Sequence, residues 1–180
     1  MEDEDYNREG QLTKPSVYME TSVISRLTSW ISKLPTVADE QQTSLVWWEN
    51  YRNRFDLFIS DLVMDEISRG DLAASSSRIQ FVQNIRLLTI TDKMRNIAKE
   101  LLTQTALPSK EEQDAIHIAC AAVNQIDYLL TWNCKHIANP VQLPKIRKVL
   151  QILGLTVPKL MTPKQLINQL KTEEAYSDFR

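Results

Sequence analysis

Glu20, Glu66 and Asp114 each stand at the end of an apolar run or within a turn or so of one, in Tyr18-Met19-Glu20-Thr21-Ser22, Asp61-Leu62-Val63-Met64-Asp65-Glu66-Ile67 and Gln113-Asp114-Ala115-Ile116. A carboxylate abutting apolar sequence costs free energy unless it faces a metal, a cation or a helix N-terminus. Three of them, drawn from separate segments to one place, form a hard oxygen cage suited to Mg2+ or Mn2+. An ion so held polarises a phosphodiester and acidifies water toward neutral pH. The plainer reading stays open beside it: Glu20 and Asp114 as anions at helix N-termini, worth ~0.3 to 1 kcal/mol each. A fourth polar segment, Thr131-Trp132-Asn133-Cys134-Lys135-His136, carries no carboxylate.

The elements that must position these residues are short β-rich runs, each followed by helical periodicity. Strands are expected at Ser16 to Met19, Asp56 to Ile59, Leu87 to Ile90, Asp127 to Thr131 and Leu155 to Val157. Alternation of this kind predicts a parallel sheet covered by helices on both faces. In such a sheet the reactive crevice lies beyond the carboxyl ends of the strands, where Glu20 and the Thr131 segment fall. Ser109 with Glu112 reads as a capping box for a helix from about Lys110 to Asn124. Thr162-Pro163-Lys164-Gln165 starts another helix, and Gly154 closes the one that begins near Pro144. A stretch from about Val37 to Phe55 places Leu45, Trp48, Tyr51 and Phe55 on one face, for the sheet or for a partner. Residues 1–14 and Thr172 to Arg180 read as polar tails.

Composition narrows the function. The 180 residues amount to one domain with tails, 43% hydrophobic and 24% charged, the balance of a soluble globular chain. No window has the ~18 apolar residues of a membrane span, and the acidic start Met1-Glu2-Asp3-Glu4-Asp5 is unlike a signal peptide, so a cytoplasmic protein is expected. Twenty-one basic residues against 23 acidic ones give no bulk basic field for nucleic acid. Three glycines are too few for a phosphate-cradling loop of either common type. The only cysteines and histidines are Cys120, Cys134, His117 and His136, without the spacing of a structural zinc site.

Other residues carry two readings each. His117 shares a helix face with Asp114 and is either a metal ligand or, the preferred reading, a histidine packed on a buried flank. His136 is a donor to phosphate, a neutral ligand or a solvated loop residue. Trp47 and Trp48 are base-stacking platforms or, preferably, core and dimer interface. Arg26, Lys33, Arg69 and Lys135 would ring the mouth of the crevice, as phosphate contacts or as plain surface. Cys120 reads as core filler.

Taken in order, four segments resemble the PIN-domain proteins, in particular the VapC-like toxin ribonucleases of bacterial toxin-antitoxin pairs. They are Val17-Tyr18-Met19-Glu20-Thr21-Ser22-Val23-Ile24-Ser25, Ile59-Ser60-Asp61-Leu62-Val63-Met64-Asp65-Glu66, Gln113-Asp114-Ala115-Ile116-His117-Ile118-Ala119 and Leu129-Leu130-Thr131-Trp132-Asn133-Cys134-Lys135-His136-Ile137. The resemblance implies a PIN-like three-layer α/β/α sandwich with a mostly parallel sheet over residues 15–161, with 162–180 as a C-terminal helix and tail. It implies a Mg2+- or Mn2+-dependent endoribonuclease, an RNA substrate, a small antitoxin protein and a homodimer. By position Glu20, Glu66 and Asp114 become the metal ligands. Asn133 or Thr131 orients water or substrate, His136 stands near the leaving side, and Thr21, Ser22, Arg26 and Lys135 meet the substrate. Two positions depart from the family pattern: Glu20 stands where aspartate is usual, and His136 where a fourth acid is usual. The departures keep a rival reading open, the same fold as a degenerate module that grips RNA or protein without cutting. A phosphohydrolase of small phosphate esters fits less well, for want of a glycine loop.

Overall fold

A computed structural model of the chain describes residues 14–177, except 105, 106 and 108–110. Five strands form a single sheet: β1 (Ser16–Met19), β2 (Asp56–Ser60), β3 (Arg86–Leu88), β4 (Tyr128–Leu130) and β5 (Lys159–Met161). Their order across the sheet is β3-β2-β1-β4-β5, and every pair is parallel. The connections carry α1 (Thr21–Thr28), α2 (Pro35–Asn50), α3 (Asp61–Ile67), α4 (Leu72–Val82), α5 (Asp92–Thr103), α6 (Glu112–Val123) and α7 (Leu143–Ile152), and α8 (Pro163–Ser177) follows β5. Val17, Tyr18 and Met19 of the central strand point alternately to the two faces, yet all three are fully buried. Both faces are therefore covered, which makes the three-layer α/β/α sandwich. No helix among the described residues is long and apolar enough to cross a membrane.

The strand order reverses at β1. The chain runs outward through β2 and β3 on one side and returns to lay β4 and β5 on the other. A crevice opens at such a switch point, beyond the carboxyl ends of β1 and β4. Register places the site there: Met19 pairs with Leu130, and Glu20 N–H donates to Leu130 O at 3.0 Å. Tyr18 pairs with Phe58, so Ser60 and Glu20 end their strands at the same level.

Several element boundaries differ from the sequence expectation, each for a local reason. β3 stops at Leu88 instead of reaching Ile90, because the Ile90 N–H is taken by both oxygens of Asp61 at 3.1 Å. β5 lies at Lys159–Met161 and not at Leu155–Val157. Leu155 spends its N–H on Leu150 O, and Gly154, at φ +68°, donates to Gln151 O in the same left-handed helix stop. Pro158 then offers no N–H at all, so pairing begins one residue later, with Lys159 N–H on Asp127 O. α6 begins at Glu112 with Glu111 as its N-cap; the expected cap Ser109 lies outside the described residues. α8 extends through Thr172 to Ser177, where a tail was expected, anchored by buried Leu166 and Ile167.

The largest correction concerns α2. It ends at Asn50, and its buried residues are Gln41, Ser44 and Trp47. Trp48 is half-buried, with Phe81 at 4.5 Å ring to ring and the Arg52 guanidinium 4.6 Å from its ring. Tyr51 and Phe55 are core residues beyond the helix end. Trp48 and Tyr51 of that face thus pack within their own chain, while Leu45 stays exposed; Trp47 is fully buried and Trp48 already stacked, so neither is a platform for a base.

Candidate active site

Glu20 is the N-cap of α1, and its Oε2 accepts from Ser22 N–H at 3.2 Å, from Thr131 Oγ1 at 2.8 Å and from the Ser22 hydroxyl. The helix-anion reading therefore holds for that oxygen. No hydrogen bond among the described residues reaches the other, Oε1. Glu66, in the second turn of α3, is built the same way. Its Oε2 accepts from the Thr21 hydroxyl and lies 3.1 Å from His117 Nε2, while Oε1 has no partner among the described residues. Each carboxylate has one oxygen fixed by the protein and one left over.

His117 was expected to be a packed histidine, and it is 1% exposed; it also belongs to the site. Its Nδ1 lies 2.7 Å from the Tyr18 hydroxyl, which lies 2.7 Å from Ser60 Oγ. Ser60 caps α3 by accepting from Val63 N–H. A buried chain of side chains thus runs from the start of α3 through β1 to the carboxylate of Glu66. Burial opposes charge on Glu66, but the hydrogen bond and charge of His117, with Thr21 and Arg69, outweigh it and hold the carboxyl below its ordinary range. Burial likewise opposes charge on His117, but Glu66, Glu20 and Asp114 win and raise it above the ordinary imidazole value. Burial pushes the Tyr18 hydroxyl well up, so it stays protonated.

Asp114 does not join Glu20 and Glu66 in one three-carboxylate cage. Two groups form instead, each with ligand atoms within 4.8 Å of one another: Glu20, Glu66 and His117, and Glu111, Asp114 and His136. In the second group His136 Nδ1 lies 3.0 Å from Asp114 Oδ2 and 3.3 Å from Glu111 Oε2. Asn133 Nδ2 donates to both oxygens of Asp114 at 3.0 Å, and its Oδ1 accepts from His136 N–H at 3.0 Å. Here burial prevails: it raises the Asp114 carboxyl above its ordinary value despite Asn133 and His136. The groups are joined, because Asn133 N–H donates at 2.9 Å to the Thr131 hydroxyl that serves Glu20. They also share α6, where Asp114 and His117 are three residues apart.

The residues expected to meet substrate divide. Thr21 and Ser22 spend their hydroxyls on Glu66 and Glu20, and Ser22 Oγ also accepts from Trp132 N–H at 2.8 Å. Arg26 is tied to Glu40 of α2 at 2.6 Å. Lys135, Lys33 and Arg69 are exposed. Glu111, Tyr18 and Ser60 were not singled out from sequence; only the turn-long spacing of Glu111 from Asp114 signalled one of them. Cys120 is core, its thiol pushed up to about 12 by burial.

The donor set fits a divalent cation, since oxygens and imidazole nitrogens converge with carboxylate oxygens left over. No protein-family model matches the chain, and no curated protein does. Solved structures do match. VapC20 of Mycobacterium tuberculosis, a Sarcin-Ricin loop cleaving toxin, superposes with a TM-score of 0.55 at 16% identity, over 69% of this chain and 95% of that one. A toxin-antitoxin complex from Klebsiella pneumoniae gives 0.52 at 19% identity, over 71% and 94%. The fold is that of the VapC-like PIN-domain proteins.

Proposed function

We propose that the chain is a divalent-metal-dependent endoribonuclease of the VapC toxin type, with residues 15–161 as its working unit and α8 as a buttress. The observation that carries the reading is the pair of half-occupied carboxylates, Glu20 and Glu66, at the sheet's switch point with Asp114 beside them. Glu20 and Glu66 would hold the ion, and Asp114, in the neighbouring group, would join them only if the two groups close up on it. When bound, Mg2+ or Mn2+ supplies a Lewis acid for the phosphodiester and acidifies water.

The chain's own residues do the rest. Thr131, Ser22 and Thr21 fix the carboxylates by hydrogen bonds, so little reorganisation accompanies reaction. Asp114, whose carboxyl is raised by burial, is suited to take a proton from attacking water, and His136 at 3.0 Å to return one to the leaving oxygen. Asn133 keeps that pair in register. Lys135 and Arg69 supply positive charge for the phosphate backbone. An RNA loop is the substrate class that likeness to a Sarcin-Ricin loop cleaving toxin supports.

The reading brings a small antitoxin and a second copy of the chain as partners, at work in the cytoplasm. Exposed apolar side chains available for such contacts include Trp30, Ile31, Leu34 and Leu72, of which Trp30 is 97% exposed, and Leu45 of α2. Self-association is checked by light scattering at tens of micromolar, where a monomer counts against the homodimer.

Full-length protein given single-stranded and loop RNA should cut with Mn2+ or Mg2+ and stop with chelator. Asp114→Asn should abolish cutting while keeping size and fold. One feature favours the rival, a module that grips RNA without cutting: His136 already spans Asp114 and Glu111. Binding without cleavage under any ion would establish it, and Glu20→Asp with His136→Asp should then restore cutting.

A further inference from the structure

Charge is distributed unevenly along the chain. From Tyr128 to Thr172 the sequence holds seven of the 21 basic residues and none of the 23 acidic ones, which leaves 14 against 23 elsewhere. A formal charge of −2 thus covers a segment at +7. In the fold this segment is β4, the loop after it, α7, the edge strand β5 and most of α8, all on one side of β1 in the strand order. We propose that this side is an RNA-binding track, which leads the phosphate backbone of a single strand from the crevice along α7 and the edge of β5. The inference rests on the nuclease reading above for its ligand and adds where that ligand lies.

Most of these cations are unanswered by the protein. Lys164 lies 3.5 Å from Asp39. Lys135, Lys145, Arg147, Lys148 and Lys159 are exposed, and none has an ion-pair partner among the described residues. Like charges with no anion between them repel one another, a cost that a bound polyanion removes. Continuity with the crevice selects RNA as that polyanion over an acidic protein. Lys135 stands beside His136 of the outer group, and Asn139 ties this loop to α7: its Nδ2 donates to Lys135 O at 2.6 Å, and its carbonyl accepts from Leu143 N–H at 3.0 Å. The positive surface therefore starts at the site and runs on without a break in the chain.

The shape of this side fits a nucleotide chain. Lys145 and Lys148, three residues apart on α7, share a helix face. Beside them a cleft of about 500 Å3 lies between α7 and β5, within the range of small-ligand clefts. Leu143, Ile146, Val157 and Pro158 give it apolar walls, and Arg147 and Lys159 are its cations. Apolar surface next to cations matches a nucleotide, which presents base and sugar together with its phosphate. Met161 also lines the cleft, and its carbonyl accepts at 3.1 Å from the N–H of Thr131, whose hydroxyl serves Glu20. One end of the cleft is therefore level with the crevice. The other is at Lys159, where β5 begins.

Fluorescence anisotropy of a labelled single-stranded RNA reads the track, with the full-length chain and chelator present to prevent cutting. Each phosphate contact on a single strand contributes ~0.7 to the slope of log K against log salt. Arg147→Ala with Lys159→Ala should lower the slope by about 1.4, and Lys145→Ala with Lys148→Ala by as much. Arg86→Ala, which removes a cation from β3 at the opposite edge of the sheet, should leave it unchanged. In single-turnover cleavage both pairs should raise the RNA concentration for half-saturation several-fold and keep the wild-type rate at saturation. A slope indifferent to both pairs, or one that falls as far per charge with Arg86→Ala, overturns the proposal. Poly-glutamate bound more tightly than RNA through the same cations assigns the surface to an acidic protein and overturns it too. The nuclease reading fails separately. Binding with the expected slopes but no cutting under Mg2+ or Mn2+ removes the nuclease and keeps the track; cutting with unaltered slopes removes the track and keeps the nuclease.

Discussion

The two acid-histidine groups have the same composition and opposite character. Glu20, Glu66 and His117 lie on three elements at the carboxyl end of the central strand, and the hydrogen bonds of His117 run inward to Tyr18 and Ser60. Glu111, Asp114 and His136 sit at the rim, tied to one another and to the loop after β4. Glu66 is held below its ordinary range and Asp114 above it, although the two side chains are similarly buried. The difference lies in partners. Glu66 has a fully buried imidazole, a hydroxyl and Arg69, which together overcome desolvation; Asp114 has an amide and a rim histidine, which do not. The Glu66 carboxylate is thus held in its charged form, whereas burial favours the protonated form of Asp114.

Activity should separate the groups most widely. Glu66→Gln keeps the shape and loses the charge that the inner group exists to hold, so RNA cleavage should fall by at least about a hundredfold. His136→Ala should cost less, about ten- to a hundredfold, the range for an acid or base or a supporting residue. Single-turnover cleavage at saturating RNA checks both. Equal losses would mean that the two groups act as one unit.

Stability comes next. His117→Ala strips the partner from buried Glu66 and from the Tyr18 hydroxyl, and urea denaturation should show a loss of about 3 to 5 kcal/mol. His136→Ala at the water-accessible rim should cost about 1 kcal/mol.

The pH dependence has a sign for each group. Glu66, depressed in the fold, stabilises above the ordinary glutamate value, and that stability is lost as pH falls through its folded pKa. His117, raised in the fold, stabilises below the ordinary imidazole value and loses the contribution as pH rises through its folded pKa. The pair therefore contributes most between about pH 4.3 and 6.5. Asp114 has the reverse sign to Glu66: its raised pKa means stability is lost as pH rises through it. Denaturation across pH should show Glu66→Gln flattening the acid-side fall and Asp114→Asn removing a small loss on going from acid toward neutral pH.

The fold was legible because its signals are local. Short β-rich runs alternating with capped helices gave the parallel sheet, and Gly154 marked a left-handed stop that the backbone shows. The places that misled were those decided by distant partners. Asp61 ended β3 from 29 residues away, and the packing of Phe81 and Arg52 on Trp48 settled for that ring a choice the sequence left open between the chain's own core and a partner. The same holds at the site. Glu20, Glu66 and Asp114 stood out as carboxylates just after strands or near helix starts, whereas Asn133 and His136 were marked by the family resemblance. His117 looked like core because it is core, and only the tertiary approach of α3 reveals the carboxylate against it. Its spacing from Asp114 was the one visible clue, and that spacing cannot tell a ligand from a packed ring.

The smallest effect belongs to the mouth, where the proposed nuclease would meet the RNA backbone. Lys135 is exposed and has no ion-pair partner among the described residues, whereas Arg26 is engaged by Glu40 at 2.6 Å. An exposed lysine that contacts one phosphate adds little affinity at ordinary salt, but its loss lowers the slope of log K against log salt by about one unit, or ~0.7 on a single strand. Lys135→Ala should therefore weaken RNA binding only a few-fold and reduce the slope by that amount, measured by fluorescence anisotropy from low to moderate salt. Arg26→Ala should leave the slope unchanged, because its charge is already answered by α2. A slope that responds to Arg26 and not to Lys135 would place the RNA on the α1–α2 side of the crevice, next to the inner group, and would make the outer group a lid over the site instead of its entrance.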